Sequence, residues 1–195
     1  MYLKLLIATL FISAAFPAFS QVAPQAEGTG LPLTVGVGYS NYQTDYDGHL
    51  SGPMFWVDWD LYNRPAFLHG FGIEVEARDL NYDRTGRDHN LRMDTAAGGP
   101  KYTYRRSARI QPYVKCLVGL GSIDFNLALP SQTNYTHDTR TVYAPGGGAN
   151  WLVTRNIEIR GNYEYQFWPS LFHSHALNPS GITIGVAYNV KRRGR

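Results

Sequence analysis

The chain has 195 residues, a formal net charge of +3 and a single cysteine, Cys116. One cysteine excludes an intrachain disulfide, and the basic residues form no stripe interleaved with stacking aromatics, which sets nucleic-acid binding aside. A mean hydropathy of −0.29 would suit a water-soluble domain, but alternating strands average out by construction, so a membrane barrel survives that test.

Lys4, an apolar run from Leu5 to Phe16 and Ala18-Phe19-Ser20 before Gln21 read as a cleaved export signal over residues 1–20. The run is shorter than the ~20 apolar residues that a spanning helix needs. Residues 21–195 then form one domain.

Eight segments of period-two alternation follow: Leu33–Gln43, Met54–Leu61, Phe67–Asp79, Arg92–Tyr104, Arg109–Gly121, Thr139–Trp151, Asn156–Phe167 and Gly181–Val190. In the seventh, Ile157, Ile159, Tyr163, Tyr165 and Phe167 share one face, while Glu158, Arg160, Asn162, Glu164 and Gln166 share the other. In the eighth, Ile182, Ile184, Val186, Tyr188 and Val190 oppose Thr183, Gly185, Ala187 and Asn189. A continuous greasy face opposite small or polar residues suits a wall with lipid outside. Connections after the second, fourth and sixth strands read as tight turns, at Tyr62-Asn63-Arg64-Pro65, Arg105-Arg106-Ser107-Ala108 and Leu152-Val153-Thr154-Arg155. The others read as long and polar. That parity predicts an all-β, eight-stranded, antiparallel up-and-down transmembrane β-barrel with both termini in the periplasm.

The rims follow from this frame. Arg64, Arg105, Arg106, Arg109, Arg155, Lys191, Arg192, Arg193 and Arg195 fall at the periplasmic end or in the tail, where they can meet anionic lipid headgroups. Trp59, Tyr102, Tyr104, Trp151 and Tyr188 on that side, and Tyr165, Phe167 and Trp168 toward the outside, read as aromatic girdles. Cys116 reads as an apolar wall or core residue.

An eight-stranded barrel is just wide enough for side chains to fill, so the lumen is expected to be a packed polar core. Phase places Trp56, Asp58, Asp60, Glu74, Glu76, Arg78, Lys101, Tyr113, Lys115, Glu158, Arg160, Glu164 and Gln166 inward. Thr34, Gly36, Gly38, Ser40, Ala144, Gly146, Gly148, Thr183, Gly185 and Ala187 supply the small partners across the lumen. The candidate site is a charge network of Asp58, Asp60, Glu74, Glu76, Arg78, Lys101, Lys115, Glu158, Arg160 and Glu164, since unpaired charges there cost several kcal/mol. Pro100, Pro112 and Pro145 interrupt predicted strands, and each removes a ladder donor, so bulges or local breaks are expected.

Thr183, Gly185, Tyr188 and Val190 set out a terminal-strand pattern of polar, glycine and two hydrophobic positions. With Gly146-Gly147-Gly148, Gly99-Pro100-Lys101 and the strand rhythm over the mature chain, this resembles the small outer-membrane protein β-barrel domain family, related in architecture to the OmpA transmembrane domain. The resemblance implies an assembly signal in those four residues, read by the barrel-assembly machinery. Lys191 to Arg195 follow the signal, and no peptidoglycan-binding domain does.

Enzymatic readings find less support. The lipid A deacylases resemble the chain in size, but Phe172-His173-Ser174-His175 sets His and Ser adjacent in a loop rather than two apart on a strand. The paired lumen carboxylates have no cleft in which to flank a sugar bond. His49, His89, His137, His173 and His175 lie in external loops beside Asp45, Asp47, Asp83, Asp88 and Asp138, a composition open to metal binding but explained by loop polarity. The expectation is a monomeric outer-membrane barrel without catalytic, metal or cofactor residues. Lipid and the assembly machinery are its partners, and external loops are available for recognition. A narrow channel or small-ligand barrel is the alternative; a lipid-modifying enzyme or a soluble lipocalin-like barrel is a weaker one.

Overall fold

Strand alternation demands two environments, one for each face, and the structure supplies them by closing the sheet. A computed structural model describes residues 33–44, 48–61, 70–82, 89–105, 109–127, 137–154, 156–171 and 175–190. The strands are β1 Leu33–Thr44, β2 Gly48–Asp60, β3 Phe71–Tyr82, β4 His89–Thr103, β5 Ile110–Leu127, β6 His137–Leu152, β7 Ile157–Tyr165, β8 Trp168–Leu171, β9 His175–Leu177 and β10 Ser180–Asn189. Eight of them close antiparallel in the order β1-β10-β7-β6-β5-β4-β3-β2, while β8 and β9 pair separately as a hairpin. The predicted fold class therefore holds, with one element added. The export signal at residues 1–20 lies outside the described residues.

Closure turns the aliphatic stripe outward. Ile157, Ile159 and Ile184 are exposed, Ile184 at 65%, whereas Glu158 at 5% and Arg160 at 1% are buried inside. Trp59, Tyr102, Tyr104, Trp151 and Tyr188 are exposed near one end of the wall, and there Phe71 meets Tyr102 edge-on with ring centroids 5.0 Å apart. Tyr165 and Phe167 are exposed toward the other end. Trp168 departs from the girdle expected of it: it is fully buried. Its parity is that of Glu164 and Gln166, so the alternation had put it inside all along.

The connections depart from expectation in a regular way. β1 and β2 pair without a break from Leu33↔Trp59 to Thr44↔Gly48, so only residues 45–47 join them where a long loop was expected. β5 likewise runs six residues past its predicted end, to Leu127. β3 begins at Phe71, after Gly70, whose φ of +103° and close approach to the Thr103 carbonyl leave no room for a side chain. Residues 62–69 are outside the described set. The β6–β7 turn is tight: Val153 N and Thr154 N donate to the Ile157 carbonyl at 3.0 and 3.1 Å, and Ile157 N donates to Thr154 Oγ1 at 3.0 Å.

The prolines break ladders without shifting register. β4 pairs β5 at Gly98↔Val118 and again at Lys101↔Lys115, skipping Pro100 in step. β6 pairs β7 up to Gly146↔Glu164, and the Tyr143↔Phe167 bridge resumes the same register beyond Pro145. Pro112 accepts from Tyr104 N just past the last β4–β5 pair, Thr103↔Tyr113, so its missing donor falls at the ladder's end. A residue in an antiparallel strand bonds toward one neighbour only. Each proline therefore costs the pairing on one side and leaves the other intact, as at Cys116↔Pro145.

With lipid against the outward stripe, an arginine in mid-wall should cost far more than one at the aromatic end. Ile184→Arg is expected to lower unfolding stability in lipid vesicles by about 2 to 4 kcal/mol and Tyr188→Arg by at most about 1. Urea titration of the two refolded variants, followed by tryptophan fluorescence, checks the ordering.

Candidate functional site

The lumen is built by parity. Residues of one phase on β2, β3, β4, β5 and β7 are long and charged, and they reach toward β1, β6 and β10, which carry Thr34, Gly36, Ser40, Ala144, Gly146, Gly148, Thr183, Gly185 and Ala187. Long chains from one half of the cylinder thus fill the space left by short ones in the other.

Four carboxylates and four cations alternate through this space. Asp58 pairs with Lys101 at 2.7 Å and with Arg160. Glu74 meets Lys101 at 3.0 Å, Lys115 at 2.9 Å and Arg160 at 3.0 Å. Lys115 continues to Glu76 at 2.5 Å and Glu164 at 2.9 Å, and Arg78 closes the chain on Glu76 at 3.2 Å and Glu164 at 2.8 Å. All eight side chains are buried. Two of the six inward acids stand apart from them. Asp60 lies at the girdle end against Arg105 at 2.7 Å, and Glu158 has Asn189 Nδ2 3.5 Å away. Arg105, expected at the lipid surface, thus turns its guanidinium toward the lumen mouth; Arg64, Arg106, Arg155 and the tail from Lys191 lie outside the described residues.

Aromatic faces and neutral polar groups surround the network, while Asp58 Oδ1, Trp56 Nε1 and Asn162 Nδ2 are buried with no hydrogen-bond partner among the described residues. Arg160 lies 4.6 Å from the Trp56 ring and 5.0 Å from that of Tyr113, Lys101 lies 4.4 Å from Tyr113, and Arg78 lies 4.7 Å from Tyr42. Cations over ring faces in a dry site gain from the ring quadrupole. Arg160 Nε donates to Asn150 Oδ1 at 3.0 Å, Tyr113 OH to Asn162 Oδ1 at 3.0 Å, and Arg78 Nε to Ser40 Oγ at 3.2 Å. Tyr42, Asn150 and Asn162 were not among the expected site residues, yet each has the parity of its inward neighbours. Extending the count of two along β1, β6 and β7 finds them.

Above Glu164 the interior changes character. Trp168 Nε1 donates to Gln166 Oε1 at 3.1 Å, and Gln166 Nε2 to Glu164 Oε1 at 2.9 Å, which ties the β8–β9 hairpin to the network. Around Trp168 gather Leu50, Leu80, Met93, Leu117, Ile123, Val142 and Leu177, all buried. The indole lies so close over Gly121 that a Cβ there would come within 2.2 Å of the ring. An apolar stopper therefore sits over the polar core at the end away from Trp59 and Trp151.

Other candidates find little geometry. Cys116 is exposed on the wall. His137 Nδ1 pairs with Asp124 Oδ1 and its Nε2 lies 3.2 Å from Thr139 Oγ1, but no three His, Cys, Asp or Glu side chains converge as metal ligands among the described residues. Residues 172–174 lie outside that set. Thr183 and Gly185 face inward on β10, while Tyr188 and Val190 are exposed on the outer face.

Comparison with known proteins agrees with this geometry. The sequence profile of the outer membrane protein beta-barrel domain matches residues 7–189. Among solved structures, the barrel is similar to Ail, the attachment invasion locus protein of Yersinia pestis, with a TM-score of 0.59 and 16% identity over 82% of this chain and 98% of that one. It is similar to Neisserial surface protein A, with a TM-score of 0.61 and 11% identity over 82% and 97% of the chains. The outer membrane protein OprG of Pseudomonas aeruginosa gives 0.55 and 11% over 84% and 97%. At these identities the likeness is one of fold. No curated protein sequence matches the chain.

Because Arg160 serves Asp58 and Glu74 together, removing it leaves two buried carboxylates short of a partner. Arg160→Ala is expected to destabilise the barrel by about 3 to 5 kcal/mol. Urea unfolding in detergent micelles measures it, and a loss below about 1 kcal/mol would refute a structural network.

Proposed function

The chain belongs to the outer membrane protein β-barrel family and resides in the bacterial outer membrane, and from that premise we propose that it is a monomeric structural and interaction barrel with a closed lumen. What carries this reading is the stopper: Trp168 and its apolar neighbours cap a charge network whose eight members are paired with one another. Ions and small solutes pass where water can follow, and an interior filled by side chains leaves no such path.

Recognition then falls to the outer rim. β1 to β6 extend beyond the apolar belt and carry a cross-strand row of polar side chains: Asn41↔Ser51↔Asn81↔Arg92↔Asp124↔His137. A row fixed by ladder register presents its groups on a rigid frame, which suits binding better than a mobile surface. The polar connections at residues 83–88 and 128–136 adjoin it in sequence. Lipid surrounds the wall, and we assign the terminal strand, through Thr183, Gly185, Tyr188 and Val190, to recognition by the barrel-assembly machinery. We assign no reaction.

Planar-bilayer recording tests the closed lumen. The refolded protein is expected to give no discrete conductance steps at any applied voltage; reproducible single-channel steps would overturn the reading in favour of a narrow channel.

A further inference from the structure

One cluster above the apolar belt is arranged for more than binding. Asp124 on β5 stands directly opposite His137 on β6, and one pair nearer the belt Ser122 stands opposite Thr139. All four share the outward phase of the exposed Leu120. His137 Nδ1 pairs with Asp124 Oδ1, and His137 Nε2 lies 3.2 Å from Thr139 Oγ1. An ionised carboxylate only accepts, so Nδ1 carries the ring proton. In the neutral imidazole Nε2 is then the acceptor, and the Thr139 hydroxyl donates to it. Arg92, the ladder neighbour of Asp124 on β4, sends Nε and Nη2 to Asp79 and Asp94, so the imidazole holds the carboxylate opposite it.

Carboxylate to imidazole to hydroxyl is the order that turns a weak alcohol into a nucleophile. Asp124 fixes the tautomer and the orientation of the ring, and Nε2 is placed to take the hydroxyl proton. Two paired strands hold all three groups in register, with His137 and Thr139 two apart on the same face of β6. Directly opposed residues of an antiparallel pair have Cβ atoms about 5 Å apart, so Ser122 sets a second hydroxyl beside Thr139 as a donor for a developing oxyanion.

The level of the cluster points to its substrate. The next pairs toward the membrane are Leu120↔Thr141 and Val118↔Tyr143, and Leu120, Val118 and Tyr143 are exposed on the lipid-facing wall. Thr139 therefore stands where hydrocarbon gives way to polar surroundings. A long chain lying in the membrane against that wall would bring an ester at its polar end to the Thr139 hydroxyl, and no slot in the wall is needed.

We propose that Asp124, His137 and Thr139 hydrolyse the carboxylic ester of a long-chain acid held in the membrane. Thr139 Oγ1 attacks the ester carbonyl as its proton passes to His137 Nε2; the bond to the alcohol breaks, and the proton leaves with the alcohol. Water then attacks the acyl–Thr139 ester and gives a proton to Nε2. The acid departs as that proton returns to Thr139 Oγ1. Thr139 and His137 are the catalytic residues and Asp124 a positioning one. This activity is separate from the interaction role, to which no reaction belongs, and a conducting barrel would leave it standing.

Refolded protein in detergent micelles gives two readouts: hydrolysis of p-nitrophenyl laurate against p-nitrophenyl acetate, and labelling by a long-chain alkyl fluorophosphonate. In the second, a bond forms between Thr139 Oγ1 and phosphorus as fluoride leaves, and peptide mass spectrometry locates it. Labelling of Thr139 is expected, with kcat/KM for laurate at least about tenfold above that for acetate. Thr139→Val and His137→Gln should bring hydrolysis down to the rate in empty micelles and abolish the label, whereas Thr139→Ser should keep both. Asp124→Asn should lower kcat at least about tenfold with KM unchanged, and Ser122→Ala should keep the label on Thr139. A heat-dependent gel shift like that of the native protein checks that each variant is folded. No label on the native protein, a label on Ser122, hydrolysis that survives Thr139→Val, or equal turnover of the two esters would each overturn the proposal.

Discussion

Charge neutrality inside a cylinder one side chain deep is the condition on which the rest of this barrel depends. With eight strands there is no room to hydrate an ion fully, so every lumen charge must find its opposite among the side chains beside it. Asp58, Glu74, Glu76 and Glu164 against Arg78, Lys101, Lys115 and Arg160 meet that condition at the centre of the lumen, while the buried Glu158 stands apart from them beside Asn189. Glu74 and Lys115 hold the chain together, each touching three partners of opposite sign. A connected network of this kind has no expendable member, since removing one charge strands several. It also fixes the small residues of β1, β6 and β10, because a long side chain there would have to displace one of the eight.

The same closure constrains the backbone. Hydrocarbon offers no partner for an unpaired N–H or C=O, which is why a barrel has no edge. Proline is nonetheless present in β2, β4, β5 and β6. The ladder tolerates it because the donor is lost toward one neighbour only and register is kept: β2 and β3 pair at Ser51↔Asn81 and again at Met54↔Arg78, on either side of Pro53, in step. A bulge would have moved every later residue of the strand to the opposite face, setting Asp58, Lys101 or Lys115 against lipid. Simple breaks are the form of interruption that leaves the lumen charges in place.

Much of this was legible from alternation alone, since a period of two sorts residues to lumen or lipid once the barrel is granted. The outward Ile157, Ile159 and Ile184 and the inward Glu158 and Arg160 follow from it. What alternation could not supply were strand ends beyond the belt. Past the apolar stripe the outward residues turn polar, as at Ser51 and Asp124, so Gly48 to Pro53 and Ser122 to Leu127 read as loops although they continue the ladder and send Leu50 and Ile123 into the apolar stopper. Pairing partners within the lumen were equally hidden: phase shows that Asp60 points inward, but not that Arg105, outside any strand, comes round to meet it. Trp168 was misplaced for another reason. Its size and its neighbours Tyr165 and Phe167 suggested a girdle, whereas its phase and the bare Gly121 beneath it make it the lid of the apolar stopper.

A lumen solved in this way has little chemistry left to offer. Its four central carboxylates are held by cations, three of the four cations lie over rings, and the apolar stopper packs above them. Variation useful to a cell must then fall where charge need not balance and volume is not fixed. Two regions qualify. One is the polar row from Asn41 to His137, carried above the belt by strands longer than the membrane requires. The other is the outer wall, where Ala77 and Ala96 leave a recess between Phe55 and Leu120 that can vary without disturbing the interior. Both are fixed by ladder register rather than by loop conformation. The rigidity that the charge network gives the barrel is thereby passed outward to the surfaces that meet other molecules.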